Sequence, residues 1–478
     1  FGSSHFGSSS LFQLNRIQFL IALALHFLGK MGASLCPARN SKGKIEHLLH
    51  LKLDGSRASA GLQPIDPGAG IDAAWLKRLP LHACGRHIVD SSGSRFWLRA
   101  VNWYGASDAY HVVGGLDQQS LDVICESINQ LGFNCVRLPF SNEMLRSEVA
   151  SGSIDFDKNP KLRGLSALQV LDEVVMSLGR QSIAVILNNH TTYGEWCGGP
   201  DRNGMWYHPG SAEYTEERWI EDWAMLAARY CKCPQVVGFD LRNEVRFCPW
   251  PFRWPTWQSG WFSWLALGRD WAGAAAACAD RVLQENKQLL IVVERIIWPM
   301  GELQPYMRNP GPLLPHLADR LVLAVHHYSW NGPGRYLAFG HTMSEGISYF
   351  LRSFVRSLGI FSPENYGDMT KGQLMGEMFR QWGFILQSNT CPVWVSEFGS
   401  FENPEHYDTK WFERFVECLG SLEADFAYWP LNVGNKPASG HGEPYGLLGA
   451  DWRPKPEGDR RIDLLRQHGL LPPPPSGR

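Results

Sequence analysis

Eight short apolar runs constrain the fold of this chain more than any other feature of the sequence. Segments with helical spacing of apolar residues separate several of these runs. A near-continuous apolar strand is typical of a parallel sheet that is buried on both faces. Strand alternating with helix eight times predicts an α/β fold closed into a (β/α)8 TIM barrel. The strand candidates are 96–104, 133–140, 182–190, 236–244, 289–296, 321–328, 392–399 and 425–432.

The segments between the strand candidates favour the closed barrel over an open, doubly wound sheet. An open sheet of that kind calls for a glycine-rich phosphate-binding turn. The sequence has no G-x-G-x-x-G after the first strand candidate and no Walker loop. Helices are predicted at about 117–131, 164–180, 215–231, 268–288, 371–388 and 408–420, with long insertions in several strand-to-helix loops.

The 478 residues divide into three parts. Residues 1–80 are poorly patterned, residues 81–470 form the predicted catalytic barrel domain, and residues 471–478 are a proline-rich tail. Within the first part, the apolar run 17–28 is shorter than the roughly 20 residues of a membrane-spanning helix. Its length is that of a signal-peptide core, so we expect a secreted, extracellular protein with no further membrane association.

Charge and cysteine usage exclude several classes of partner and cofactor. The 45 basic and 47 acidic residues give a net charge of −2, so no basic excess indicates nucleic acid binding. The 11 cysteines lack the paired spacing of a zinc site. His326 and His327 are adjacent on a predicted strand and therefore point to opposite faces. We expect a monomer with no metal and no cofactor.

Polar residues gather at the carboxyl ends of the strand candidates, where barrel enzymes place their chemistry. Glu244 and Glu397 end the fourth and seventh candidates, on opposite sides of the predicted barrel mouth. Two carboxylates that face each other across a cleft suit glycoside hydrolysis, in which one is the acid and the other the nucleophile or base. The 20 tryptophans of the chain also indicate a flat, partly apolar ligand such as a sugar. The predicted partner is therefore an oligo- or polysaccharide.

The neighbouring polar residues fit these two roles. Arg137, His326 and Tyr328 are placed to stabilise a charged Glu397. An acid role for Glu244 requires a raised pKa, which burial beside apolar rings would supply. Asn243 is a candidate to bond a sugar 2-hydroxyl.

These motifs, in this order, resemble glycoside hydrolase family 5, the cellulase-type family of retaining (β/α)8 enzymes. The resemblance covers about residues 85–455. It rests on Leu-Arg-Asn-Glu at 241–244, Val-Ser-Glu-Phe-Gly at 395–399, the segment 131–140 with Arg137, His190, the pair His326 and Tyr328, and Trp429. Residues 85–106 resemble the opening N-terminal hairpin and first strand of that family.

The resemblance implies roles for these residues and a mechanism. Glu244 is the acid/base and Glu397 the nucleophile of a double displacement. Trp429 is the floor of a sugar subsite, and His190 closes the third strand. Asn188 departs from the family pattern, which usually has an aspartate at that position.

The substrate stays open at this point. The first hypothesis is an endo-β-1,4-glucanase that acts in polysaccharide catabolism. A relative acting on mannan, xyloglucan, β-1,3-glucan or a glycolipid would use the same glutamates, and a catalytically silent carbohydrate-binding barrel is the third. Five tryptophans at 250–264 are either sugar platforms or a small core, and Trp196 is a further platform candidate. The stretch 331–370 is expected to be a lid or cleft wall.

Overall fold

The eight apolar runs form a closed barrel of parallel strands, which confirms the predicted fold class. The computed structural model describes residues 64–66, 70–197, 201–246, 248–249, 252–257, 268–296, 313, 317, 319–330, 365–433 and 444–473. Each strand pairs in parallel with the next, and the last pairs with the first. The barrel strands are β3 (Arg99–Asn102), β4 (Cys135–Ser141), β5 (Ala184–Thr191), β6 (Val236–Asp240), β10 (Leu290–Glu294), β11 (Leu321–His326), β12 (Val393–Phe398) and β13 (Asp425–Tyr428).

An antiparallel hairpin precedes the barrel, as the resemblance implied. It consists of β1 (His82–Cys84) and β2 (His87–Val89). Its apolar side chains Leu81 and Ile88 belong to one buried cluster with barrel residues such as Ile186 and Val292. This end of the barrel interior is therefore apolar, and the polar side chains of the interior lie toward the carboxyl ends of the strands.

Helices pack around the barrel, and those between Leu121 and Leu422 lie at the predicted places, whereas the first and the last helix were not predicted. The helices are α1 (Ala73–Leu76), α2 (Leu121–Leu131), α3 (Ala167–Arg180), α4 (Glu216–Arg229), α5 (Trp271–Glu285), α6 (Lys371–Met378), α7 (Phe384–Gln387), α8 (Tyr407–Leu422) and α9 (Arg460–Gln467). Side-chain caps fix where several of them begin. The Ser166 hydroxyl accepts from the amide of Gln169 at the start of α3, and the Gln169 side chain reciprocates.

The helix predicted over 371–388 is interrupted by a π-helical turn, Phe379–Gly383, between α6 and α7. Such a turn widens the helix by one residue and does not change the apolar spacing enough to be read from sequence.

The insertion after β6 contains a small sheet that the sequence did not predict. Its strands are β7 (Cys248–Pro249), β8 (Phe252–Thr256) and β9 (Gly268–Asp270). Of the five tryptophans at 250–264, Trp257 is buried in the main core. The side chains of the other four lie outside the described residues, as do 331–364 of the predicted cleft wall and the run 17–28.

Two observations bear on membrane contact and disulfides. Among the described residues, no helix combines the length and apolar character needed to cross a membrane. Cys197 carries a free thiol.

Candidate active site

Glu244 and Glu397 lie together at the carboxyl ends of the barrel strands. Glu397 is in β12, and Glu244 follows the end of β6 by four residues. One oxygen of each carboxylate and one ring nitrogen of His326 all lie within 4.8 Å of one another. Glu397 is buried, and the Glu244 side chain is 18% exposed, so the site is open on the side of Glu244.

Glu397 is held by three neighbours, all of which the sequence placed there. Its Oε1 accepts from Nη1 of Arg137 at 2.6 Å, and its Oε2 accepts from the hydroxyl of Tyr328 at 3.0 Å. Nδ1 of His326 lies 3.5 Å from Oε2. Burial raises the pKa of Glu397, and the charges of His326 and Arg137 act against this rise. These contacts offset part of the cost of an ionised, buried carboxylate, and the pKa of Glu397 stays above its ordinary value.

Glu244 is paired with His326, whose Nδ1 lies 3.1 Å from Oε1. Burial raises the pKa of Glu244, but the hydrogen bond and charge of His326, with the charge of Arg246, outweigh it and lower the pKa. The sequence led us to expect a raised pKa for Glu244, but in the resting site its pKa is lowered. The physical reason is that the nearest proton rests on His326 and leaves Glu244 ionised.

Arg137 joins the two sides of the site. Arg137 lies near the start of β4, and its fully buried guanidinium uses all five N–H donors. The acceptors are Asp240 at 2.7 Å, Asn102 at 2.9 Å, Glu397 at 2.6 Å, Asn243 at 2.9 Å and Glu294 at 2.8 Å. Burial alone would lower the pKa of Arg137, but the three carboxylates outweigh it and raise the pKa. Asn243, predicted to contact a sugar hydroxyl, is therefore oriented by Arg137.

His326 lies between acidic groups on both edges of its ring. Nδ1 faces Glu244 and Glu397, and Nε2 lies 3.4 Å from Glu294. Burial opposes the charged form, but Glu294 and Glu397 outweigh it and raise the pKa of His326 to about 10. His327 points the other way, as expected, and accepts a hydrogen bond from the indole of Trp382 at 2.8 Å.

Aromatic rings form one wall of the site. Trp429, after β13, lies parallel to the rings of His190 and Tyr104, with centroids 5.5 and 5.4 Å away. Trp196 is 40% exposed and meets Trp429 and Tyr104 edge-on. Asn188, at the position that departs from the family pattern, accepts a hydrogen bond through its Oδ1 from Nδ1 of His190 at 2.8 Å. A pyranose ring is flat and apolar on its faces, and the exposed ring of Trp196 suits such a face.

Several residues of the site were missed in the sequence. They are Asn102, Asp240, Glu294 and Tyr445, which are buried around Arg137 or beside Tyr328. The sequence did contain a signal for Glu294, because it is the last residue of an apolar strand, and Glu397 is the last but one of its own strand. The same rule of polar residues at strand ends selects it.

Glu244, His326 and Glu397 have ligand atoms close enough to hold a metal ion. The pKa of His326 is raised to about 10, so its ring carries a proton on each nitrogen at neutral pH, and a metal ion would have to displace one of them. The three groups form a proton network between the two carboxylates.

A parallel barrel with two carboxylates facing each other at its carboxyl-end rim, a buried arginine beside them and an aromatic wall is typical of a glycoside hydrolase. The family model of cellulase, glycosyl hydrolase family 5, matches residues 89–435. The chain belongs to glycoside hydrolase family 5, which confirms the resemblance seen in the sequence.

Individual relatives agree with this assignment. An endoglucanase of Paenibacillus polymyxa is 30% identical over 403 residues, which cover 80% of this chain and 87% of that protein. The major extracellular endoglucanase of Xanthomonas campestris pv. campestris is 31% identical over 386 residues, or 77% of this chain and 67% of that protein. The solved catalytic domain of the Xanthomonas campestris major endoglucanase has a TM-score of 0.61 at 28% identity and covers 81% of this chain and 99% of its own.

Proposed function

We propose that this glycoside hydrolase is a retaining endo-β-1,4-glucanase that acts in polysaccharide catabolism. The observation that carries the mechanism is the separation of Glu244 and Glu397, whose nearest oxygens lie within 4.8 Å. Retaining glycosidases hold their carboxyl groups about 5–5.5 Å apart, whereas inverting enzymes need roughly 6.5–9.5 Å to admit a water. The endoglucanase names of both relatives support the choice of substrate.

In the first step Glu397 attacks the anomeric carbon while Glu244 protonates the leaving glycosidic oxygen. The carbon–oxygen bond of the glycoside breaks, and a bond between that carbon and the Glu397 carboxylate forms. Arg137 and Tyr328 hold the attacking carboxylate in place. In the resting site the proton is on His326, whose Nδ1 lies 3.1 Å from Oε1 of Glu244. Substrate binding therefore has to transfer this proton along the hydrogen bond to Glu244.

In the second step the ionised Glu244 takes a proton from a water molecule. The water oxygen attacks the anomeric carbon and displaces Glu397, and the product keeps the β configuration. The positive charge of Arg137 stabilises the carboxylate that leaves, and the proton taken up by Glu244 returns to His326 across their hydrogen bond. The account needs no metal or cofactor.

The substrate is expected to lie along the aromatic wall. Trp429 would support the sugar at the cleavage point, and the exposed Trp196 a neighbouring sugar. We further propose a secreted monomer made of the three parts 1–80, 81–470 and 471–478. The extracellular location of the Xanthomonas campestris relative supports secretion.

A panel of soluble β-glycans tests the substrate. Wild type is expected to cut β-1,4-glucan faster than mannan, xylan, xyloglucan or β-1,3-glucan, with a rapid fall in viscosity that marks internal cleavage. Glu244→Gln and Glu397→Gln should each lose nearly all activity with wild-type melting temperatures. A folded wild type that binds glucan and hydrolyses nothing would instead support the carbohydrate-binding barrel.

A further inference from the structure

Glu294 has contacts to three parts of the proposed catalytic machinery, although it is placed to touch no substrate. It ends β10 and is 1% exposed. Its Oε1 accepts from Arg137 at 2.8 Å, and its Oε2 accepts from the backbone amide of Glu244 at 2.8 Å. The same Oε2 lies 3.4 Å from Nε2 of His326.

The contact with the Glu244 amide bears on backbone geometry. Glu244 has a φ of 47°, in the left-handed region that residues with a side chain rarely adopt. Such a conformation persists only where surrounding contacts determine it. The hydrogen bond from the Glu244 amide to Glu294 is such a contact, and it sets the direction in which the Glu244 side chain leaves the backbone.

The contact with His326 bears on the proton. A carboxylate beside Nε2 keeps a proton on that nitrogen and leaves Nδ1 facing Glu244 and Glu397. Arg137 and His326 outweigh burial and lower the pKa of Glu294 to about 2, so Glu294 stays ionised wherever the enzyme works.

We propose that Glu294 is a positioning residue that fixes the backbone of Glu244 and the protonated edge of His326. This inference rests on the proposed roles of Glu244 and Glu397. Glu294 acts through these neighbours and does not itself react. The sequence resemblance assigned it no role.

The charged and titratable groups around His326 and Glu294 determine how the proposal is tested. They are Arg137 from β4, His190 from β5, Asp240 from β6, Glu244 and Arg242 after β6, Arg295 after β10, Tyr328 after β11 and Glu397 from β12. Removing one negative charge from this cluster makes every remaining proton easier to lose. In particular, the charge of Glu294 raises the pKa of both Glu244 and Glu397.

The test compares Glu294→Gln, Glu294→Asp and Asp240→Asn. Glu294→Gln should lower kcat/KM on an aryl β-cellobioside by about 10–100-fold, because small displacements of catalytic groups cost that much. The acidic and the alkaline limb of the pH profile of kcat/KM should both move to lower pH in this variant. Glu294→Asp keeps the negative charge but has a side chain one methylene shorter. The limbs of its pH profile should therefore stay in place, while kcat falls with little change in KM.

Asp240→Asn is the matched control. Asp240 also contacts Arg137, at 2.7 Å, whereas the Glu244 amide and Nε2 of His326 face Glu294. Asparagine keeps an acceptor for Arg137 and leaves those two contacts of Glu294 in place, so kcat should fall less than in Glu294→Gln. An equal fall of kcat in Asp240→Asn and Glu294→Gln would overturn the proposal, as would a wild-type kcat in Glu294→Asp.

A readout without turnover separates this proposal from the function it rests on. In ¹⁵N-histidine NMR spectra, the resonance absent from His326→Gln identifies His326, and its pKa should fall in Glu294→Gln. An unchanged His326 titration in a folded variant overturns the positioning role even where hydrolysis proceeds as proposed. A shifted titration in a protein that cleaves no β-glycan overturns only the proposed function.

Discussion

At the scale of single residues, Tyr328 shows how a neutral group contributes to the proposed nucleophile. Its hydroxyl donates to Glu397 at 3.0 Å, and its ring stacks on Trp330 at 5.2 Å. The ring and the hydroxyl therefore have separable roles, in packing and in holding the carboxylate.

Tyr328→Phe removes the hydroxyl and keeps the ring. A hydrogen bond to a charged group contributes about 1.5–3 kcal/mol, so kcat/KM should fall about 10–100-fold with little change in melting temperature. Steady-state kinetics on an aryl β-cellobioside measures this. Tyr407→Phe, which removes an exposed hydroxyl at the start of α8, is the control and should match wild type. Equal rates in the two variants would show that the Tyr328 hydroxyl contributes nothing.

Much of the site at this scale could be predicted because its residues follow apolar strands in motifs of recognisable order. Arg137, His326 and Tyr328 all contact Glu397, as the sequence predicted. Asn102 could not be selected from its strand, because a single polar residue within an apolar run does not show which way it points. Glu294 was overlooked, although it ends its strand and the rule of polar residues at strand ends selects it. The direction of the Glu244 pKa shift was wrong because it depends on the 3.1 Å contact with His326, which sequence does not contain.

At the scale of elements, hydrophobic patterning predicted all eight barrel strands and most helices. Strand and helix periods are properties of local sequence, and parallel strands buried on both faces read as continuous apolar runs. The small sheet of β7, β8 and β9 was not predicted, because its proline- and tryptophan-rich sequence has no regular period. The π-helical turn at Phe379–Gly383 was missed because it does not change the apolar spacing of the predicted helix enough to be read from sequence.

Two glycines in loops provide a matched test of local geometry. Gly93 and Gly115 both have positive φ angles, of 80° and 92°. A Cβ at Gly93 meets nothing within 4 Å, whereas a Cβ at Gly115 would lie 2.4 Å from the buried ring of Trp452.

Gly93→Ala should therefore cost only the backbone term, about 1–2 kcal/mol of unfolding free energy. Gly115→Ala should cost about 1–3 kcal/mol more, because Trp452 has to move. Urea denaturation of both variants measures the difference. Equal losses in the two would mean that the loop around Gly115 can shift away from Trp452 without cost.

At the scale of the whole molecule, buried titratable groups make the stability of the fold depend on pH. Asp108, in the loop after β3, is 1% exposed, and its Oδ2 has no hydrogen-bond partner. Its Oδ1 accepts from the amide of Tyr110 at 3.0 Å. Burial raises the pKa of Asp108 to about 7, with that hydrogen bond acting in the opposite direction.

The sign of the effect follows from this rise. Between the unfolded value near 4 and about 7, the folded protein holds a proton that the unfolded chain has lost, so Asp108 lowers stability progressively as pH rises. Asp108→Asn keeps the contact with Tyr110 and removes the charge. It should raise the unfolding free energy at pH 8 by at least about 1–3 kcal/mol and leave it nearly unchanged at pH 4. Thermal melts at both pH values measure this, and an equal gain at the two would contradict the account.

The central claim is that Glu397 is the nucleophile and Glu244 the acid/base of a retaining hydrolase. The most direct measurement is the stereochemistry of azide products from an activated aryl β-cellobioside, with Glu397→Ala and Glu244→Ala compared. Azide takes the place of the missing carboxylate in each variant, but on opposite faces of the sugar.

The account predicts an α-glycosyl azide from Glu397→Ala, formed by one displacement, and a β-glycosyl azide from Glu244→Ala, formed by two. Proton NMR of the anomeric position distinguishes them. Exchanged products would reverse the two roles. Release of an α-anomer by wild type in the same assay would contradict double displacement altogether.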